Sequence, residues 1–142
     1  MSDSLHHQFE LDLLTSFDAR SPGGGGGGGV LTTEEGVRRL RQVVADWSML
    51  GGSAVVRVTL RLEPSTAVVT DTASGHEIEH IPFSMIGHVT ALVDDRSCVP
   101  FDNVLVFTVL EDVFQMAPPE MYFFQCLNES VSYIVISCCT LQ

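Results

Sequence analysis

The stretch Ser74-Gly75-His76-Glu77-Ile78-Glu79-His80-Ile81-Pro82 satisfies HExxH, and Glu79 beside His80 also satisfies the reversed signature HxxEH. Both are zinc-hydrolase spacings. A helix sets residues i and i+4 about one turn apart, so two imidazoles can reach one Zn²⁺ at about 2.0–2.1 Å. In a strand the same pair stands about 13 Å apart and cannot share an ion. Gly75 precedes the motif and Pro82 follows it, leaving too little chain for two helical turns, and the flanking segments alternate with period two. The extended form HExxHxxGxxH would need Gly and His where Phe83 and Ile86 stand. The segment therefore reads as a polar, solvent-facing strand, with Ile78 on the opposite face from Glu77 and Glu79. No metal ligand is assigned to it.

Other catalytic patterns fare no better. The glycine run Gly23 to Gly29 lacks GK[ST], and the chain has no Lys, so the run reads as a flexible surface loop rather than a phosphate cradle. There is no GxSxG and no Cys in a nucleophile context. The acid pairs Asp94-Asp95 and Glu111-Asp112 fall at strand ends, where turns favour them. No catalytic residue and no cofactor is assigned, and the expectation is a protein that is not an enzyme.

Charge narrows the partners. The formal net charge is −11, with 18 acidic residues against seven basic ones, all Arg. Such a balance argues against nucleic acid or an anionic membrane as the main partner. One local cluster, Arg38, Arg39 and Arg41, reads as the solvated face of a helix. Cys98, Cys126, Cys138 and Cys139 follow neither a CxxC nor a disulfide spacing, which suits reduced thiols in an intracellular protein. No apolar run is long enough to span a bilayer, and the N-terminus lacks the basic and apolar regions of a signal peptide.

The elements follow from periodicity. Leu5 to Phe17 alternates, with Phe9, Leu11 and Leu13 on one face of a strand. Thr32 and Glu35 form a capping box, and Val37, Leu40, Val44 and Trp47 then recur as one helical stripe that ends at Gly51-Gly52. After this helix the period is two. Val56, Val58, Leu60 and Leu62 alternate with Arg57, Thr59, Arg61 and Glu63, and further short strands follow with turn residues between them. The expected class is α+β, a seven-stranded antiparallel sandwich or partly open barrel with one helix after the first strand.

Four stretches carry a more specific resemblance: EEGVRRLR, then VTLRLEPSTAVVTDTASGHEIEHIPFSMIGHV, then NVLVFTVLED, and finally MYFFQC. In order and spacing the chain resembles the phosphotyrosine-binding (PTB, or PID) domain of the epidermal growth factor receptor kinase substrate 8-like family of adaptors, a pleckstrin-homology-like superfold. The resemblance divides the chain into a PTB-like domain, residues 1–128, with a Gly-rich loop at 22–29, and an atypical C-terminal tail, residues 129–142. It implies a non-enzymatic peptide-recognition module of a cytoskeletal or receptor-kinase signalling adaptor. Its partners would be NPxY-like cytoplasmic tail peptides of membrane receptors, added as an extra antiparallel strand to the edge of the fifth strand. Those edge residues are Ile86, Gly87, His88, Val89, Thr90, Ala91, Leu92 and Val93. Val89 and Ala91 would share one face, Thr90 and Leu92 the other, and Gly87 would let a ligand backbone come close. Candidate anion-binding residues are Arg38, Arg39, Arg57 and Arg61. An alternative of the same superfold is a phosphoinositide-binding, membrane-targeting domain, which needs those arginines to form one patch. With so many acids and no Lys, recognition without phosphate is favoured. The expected location is cytoplasmic, near the cell cortex or plasma membrane. Full-length relatives act with actin-regulatory complexes, but the regions that do so are not in these residues.

The tail departs from the family pattern. A PTB domain closes with an amphipathic C-terminal helix, whereas Val131, Tyr133, Ile134, Val135 and Ile136 are β-branched or aromatic with low helix propensity. A further strand, or an end in which the helix is missing or altered, is expected there. Losing three or four buried apolar side chains at about 1.5–3 kcal/mol each would leave the chain marginal.

Overall fold

The computed structural model describes residues 7–20, 29–51, 55–93, 96, 101–127, 131, 133 and 135–137, with residues 7, 48 and 50 as backbone only. The rest of the Gly-rich loop, the Asp94-Asp95 pair, and Cys98, Cys138 and Cys139 lie outside the described residues. Cys126 is buried.

Strand β1 (His7–Asp18) is followed by helix α1 (Thr33–Leu50). Six more strands come next: β2 (Val56–Leu62), β3 (Thr66–Asp71), β4 (Glu77–Pro82), β5 (Ile86–Val93), β6 (Asn103–Val109) and β7 (Glu120–Cys126). All seven belong to a single sheet in the order β4-β3-β2-β1-β7-β6-β5, and every neighbouring pair is antiparallel. Of the two expected forms, sandwich or partly open barrel, the chain takes the second: one sheet curled into a half-barrel. Curling is what lets Leu11, Val58, Val69, Ile81, Phe107 and Phe124, from strands spread across the sheet, meet in one buried cluster.

A second cluster lies on the other face, where α1 covers β1, β7 and β6. Val37 and Leu40 pack there with Leu14, Val106, Met121 and Phe123, while Val44 and Trp47 border it. The capping box forms as expected: Glu35 N donates to Thr32 Oγ1 at 3.1 Å, and Thr32 N donates to Glu35 Oε1 at 2.9 Å. This contact, chiefly the Thr32 backbone N–H, holds the Glu35 carboxyl below its ordinary value. Gly51 ends the helix in the left-handed region, φ 81°. Gly36 has a packing reason: a Cβ there would lie 2.5 Å from Met121 Sδ, so the helix seats closely on β7 only without one.

β1 serves both faces. Phe9, Leu11 and Leu13 face the inner cluster; a register shift between Leu13 and Thr15 then turns Phe17 and Ala19 outward, beside Leu14. Phe17 meets Phe123 with the rings tilted and their centroids 5.5 Å apart, and the Arg39 guanidinium lies 5.2 Å above the Phe17 ring.

In the tail the expected further strand does not form, and the end is an altered, short helix. Residues 131, 133 and 135–137 are helical, not extended, in a short C-terminal helix. Val135 is fully buried in the inner cluster, and Val131 and Ile136 pack against it. Intrinsic propensity loses here to burial: the apolar residues i and i+4 (Val131, Val135) and Ile136 close the open mouth of the half-barrel, while Tyr133 stays 55% exposed.

Candidate functional site

A curled but unclosed sheet has two margins, and a free margin offers unpaired N–H and C=O groups to any extended chain. Here the margins are β4 and β5. β4 carries Glu77, Glu79 and His80, has a register shift opposite Val69 and Thr70, and ends in Pro82. Charge, a bulge and proline are the devices by which an edge strand resists pairing. β5, Ile86-Gly87-His88-Val89-Thr90-Ala91-Leu92-Val93, has no proline and no carboxylate, and pairs only with β6 among the described residues.

Gly87 and His88 are exposed, and the other six residues of β5 are half-buried. Ile86 and Val89 border the inner cluster, and Leu92 borders the outer one, so Val89 and Leu92 lie on opposite faces as the alternation implies. Val131 and Ile136 of the short helix border the same inner cluster as Val89. Gly87 has a local reason to be glycine: a Cβ there would stand 2.6 Å from Leu110 Cδ2. The bare position accommodates the chain's own Leu110.

Most of the candidate arginines are already paired within the chain. Arg57 Nε donates to Asp12 Oδ1 at 2.6 Å, and its Nη1 lies 3.5 Å from Glu10 Oε1. Arg61 Nε donates to Glu63 Oε2 at 2.7 Å. Arg39 lies over Phe17 and donates to the Asp18 carbonyl at 3.3 Å. Arg38 is on the exposed side of α1, where it lines a shallow depression with Arg41 and Gln42. Three of the four are thus engaged by partners of their own.

The HEIEH segment is extended, with His76 ahead of β4 and His80 within it. The helical geometry that brings two imidazoles to one ion is absent, and no group of three His, Cys, Asp or Glu side chains with metal-binding proximity occurs among the described residues. His80 Nδ1 lies 3.5 Å from Glu77 Oε2 instead. One detail of the sequence reading changes: Glu79 is half-buried rather than solvent-facing. Ile78, at the bulge, is exposed, whereas Glu79 pairs with Val69 in step with the inward Ile81 and reaches Tyr122, whose hydroxyl contacts Glu79 Oε2 at 2.8 Å and Glu120 Oε1 at 3.1 Å. Burial first, and then the Glu79 carboxylate, push the phenol well above its usual range. Nothing in the local sequence marks a partner 43 positions away.

The turn between β6 and β7 was legible as a turn but not as a surface. Phe114 is 96% exposed, Met116 89% and Val113 67%. The signal was available, since apolar residues between Glu111-Asp112 and Pro118-Pro119 sit where polar ones are usual.

Among the described residues no helix is long and apolar enough to cross a membrane. No protein-family model matches the chain, and neither does any curated protein.

Proposed function

We propose that the chain is a non-enzymatic peptide-recognition module of the phosphotyrosine-binding type, which takes NPxY-like tail peptides of membrane receptors as an added antiparallel strand on β5. One observation carries the reading: the two margins of the sheet are treated differently. β4 is charged, bulged and proline-terminated, while β5 has no proline, no Arg and no carboxylate along its whole length. An edge left neutral and long is an aggregation hazard unless a partner uses it. The order of elements supports the same superfold: a strand, a helix, six antiparallel strands and a closing helix, here reduced to a short one.

Phosphate-independent recognition has the better support. A phosphotyrosine needs convergent guanidinium groups, and Arg39, Arg57 and Arg61 are held by partners of their own. The same engagement weighs against a phosphoinositide cup. The test is an NMR titration of the full chain with NPxY peptides in tyrosine and phosphotyrosine forms. Shifts clustered on residues 86–93, equal for the two forms, are the expected result. Shifts clustered elsewhere would refute the β5 assignment, and salt-sensitive binding to phosphoinositide vesicles without peptide binding would favour the membrane-targeting alternative.

A further inference from the structure

We infer that the turn between β6 and β7 is a second contact surface for the same peptide, reading a bulky apolar side chain and an adjacent basic one just beyond the segment paired with β5. This rests on the strand-addition reading and assigns a role to the peptide residues that lie past the paired strand.

Exposure comes first. Leu110, Val113, Phe114 and Met116 are 43%, 67%, 96% and 89% exposed, and they fall within one short turn. Single exposed apolar residues are ordinary, but a cluster that includes a wholly exposed Phe marks a contact surface. The cluster is also held in place. Asp112 and Ala117 exchange two backbone hydrogen bonds, each 2.9 Å. Asp112 Oδ1 accepts from Phe114 N at 3.1 Å and from Gln115 N at 3.2 Å. Met116 takes a positive φ of 57° to complete the turn. A preformed apolar tip loses little conformational freedom on binding.

Position ties the tip to β5. Ile86 is opposite Val109 in the β5–β6 register, Leu110 N donates to Met85 O at 2.7 Å, and the Leu110 side chain lies over Gly87. A strand added antiparallel to β5 runs from Val93 toward Ile86, so its C-terminal end leaves the sheet beside Leu110. Beyond it a cleft of about 240 Å³ separates the turn from the end of β4.

Charge selects the occupant. Asp112, Glu79 and Glu120 line that cleft beside Met85 and Leu110, and Glu111 sits at the root of the turn. An anionic lipid surface or an acidic or phosphorylated segment would be repelled there, whereas an apolar side chain followed by Arg or Lys meets both the exposed tip and its acidic border.

The experiment uses the full chain and synthetic NPxY peptides whose residues after the tyrosine are Phe-Arg, Gly-Ser or Glu-Glu, with binding read by NMR shifts and fluorescence anisotropy. The Phe-Arg form should perturb residues 113–116 as well as 86–93 and bind about tenfold tighter than the Gly-Ser form. That advantage should vanish in a Phe114→Ser, Met116→Ser variant, in which Gly-Ser binding is unchanged. Glu-Glu should bind weakest, by a margin that shrinks with added salt. Equal affinities with β5 shifts but a silent turn would overturn this inference and leave strand addition standing. No shift on β5 with any peptide would overturn both. Turn shifts with phosphatidylcholine or phosphatidylserine vesicles, and none with peptides, would make the tip a lipid contact and overturn the peptide assignment.

Discussion

Val135→Ala tests whether the short C-terminal helix is part of the fold or an appendage to it. Val135 is fully buried against the inner cluster of the half-barrel. The substitution removes two carbon groups, worth about 1.6 kcal/mol at about 0.8 each. If the neighbouring side chains do not close the space, the residual cavity adds about 1 kcal/mol more. The expected loss is therefore about 2 kcal/mol, enough to lower Tm by about 4–8 °C in a chain of this size. Urea denaturation should show a lower midpoint at unchanged slope, since the folded and unfolded surfaces are nearly the same. Tyr133→Ala, at a 55% exposed position of the same helix, is the internal control and should change stability by no more than about 0.5 kcal/mol. If Val135→Ala is as silent as the control, the helix does not close the half-barrel and its burial contributes nothing. A changed slope would mean instead that the helix detaches before the rest unfolds.

Other parts of the fold give three further expected outcomes. Tyr122→Phe removes the hydroxyl that contacts Glu79 and Glu120 and should cost about 1–3 kcal/mol at neutral pH by denaturant titration. Because burial raises the folded-state phenol pKa, the parent chain should hold its Tyr122 contribution below the ordinary value of about 10 and lose it as pH climbs above that, a loss absent from the Phe variant. Gly36→Ala gains about 1 kcal/mol of helix propensity but drives a methyl into Met121 Sδ; overpacking of about 1–3 kcal/mol should win, leaving a less stable chain with a shifted Met121 methyl resonance. Thr32→Ala should cost about 1 kcal/mol at neutral pH. The Glu35 carboxyl is depressed by the cap, so its share of that stability is present above the ordinary carboxylate value and lost as pH falls beneath it. The gap between parent and variant should therefore narrow in acid melts.

The features legible in the sequence were those that depend on local periodicity. The helix, with its Thr32–Glu35 box and its Val37–Leu40 stripe, follows from spacing alone, as does the extended state of HEIEH between Gly75 and Pro82. The resemblance placed the candidate edge on Ile86–Val93, and the sheet order puts that strand at a margin. Single-residue irregularities were not legible. The bulge at Ile78 breaks the register between Glu79 and Glu77, and the shift at Leu14 redirects Phe17, yet neither leaves a compositional mark beyond an extra residue in an alternating run. The tail misled for a different reason: Val131 and Val135 favour strands in isolation, and only the cavity they fill makes helix the better state. The arginines show the same limit. Spacing puts Arg57 and Arg61 on one face of β2, but which carboxylate each one takes is decided by the strand alongside and by the turn.

The parity change in β1 makes that strand a party wall between two otherwise separate interiors. Leu11 belongs to one side and Leu14 to the other, and Phe17 and Ala19 stay with the second. Deleting a single residue at the double leucine would rotate Phe17 and Ala19 out of their compartment and pull the helix's anchorage from beneath it. Neither interior can then be opened without disturbing the other, so amide protons on the two sides should exchange with solvent through one common event rather than two.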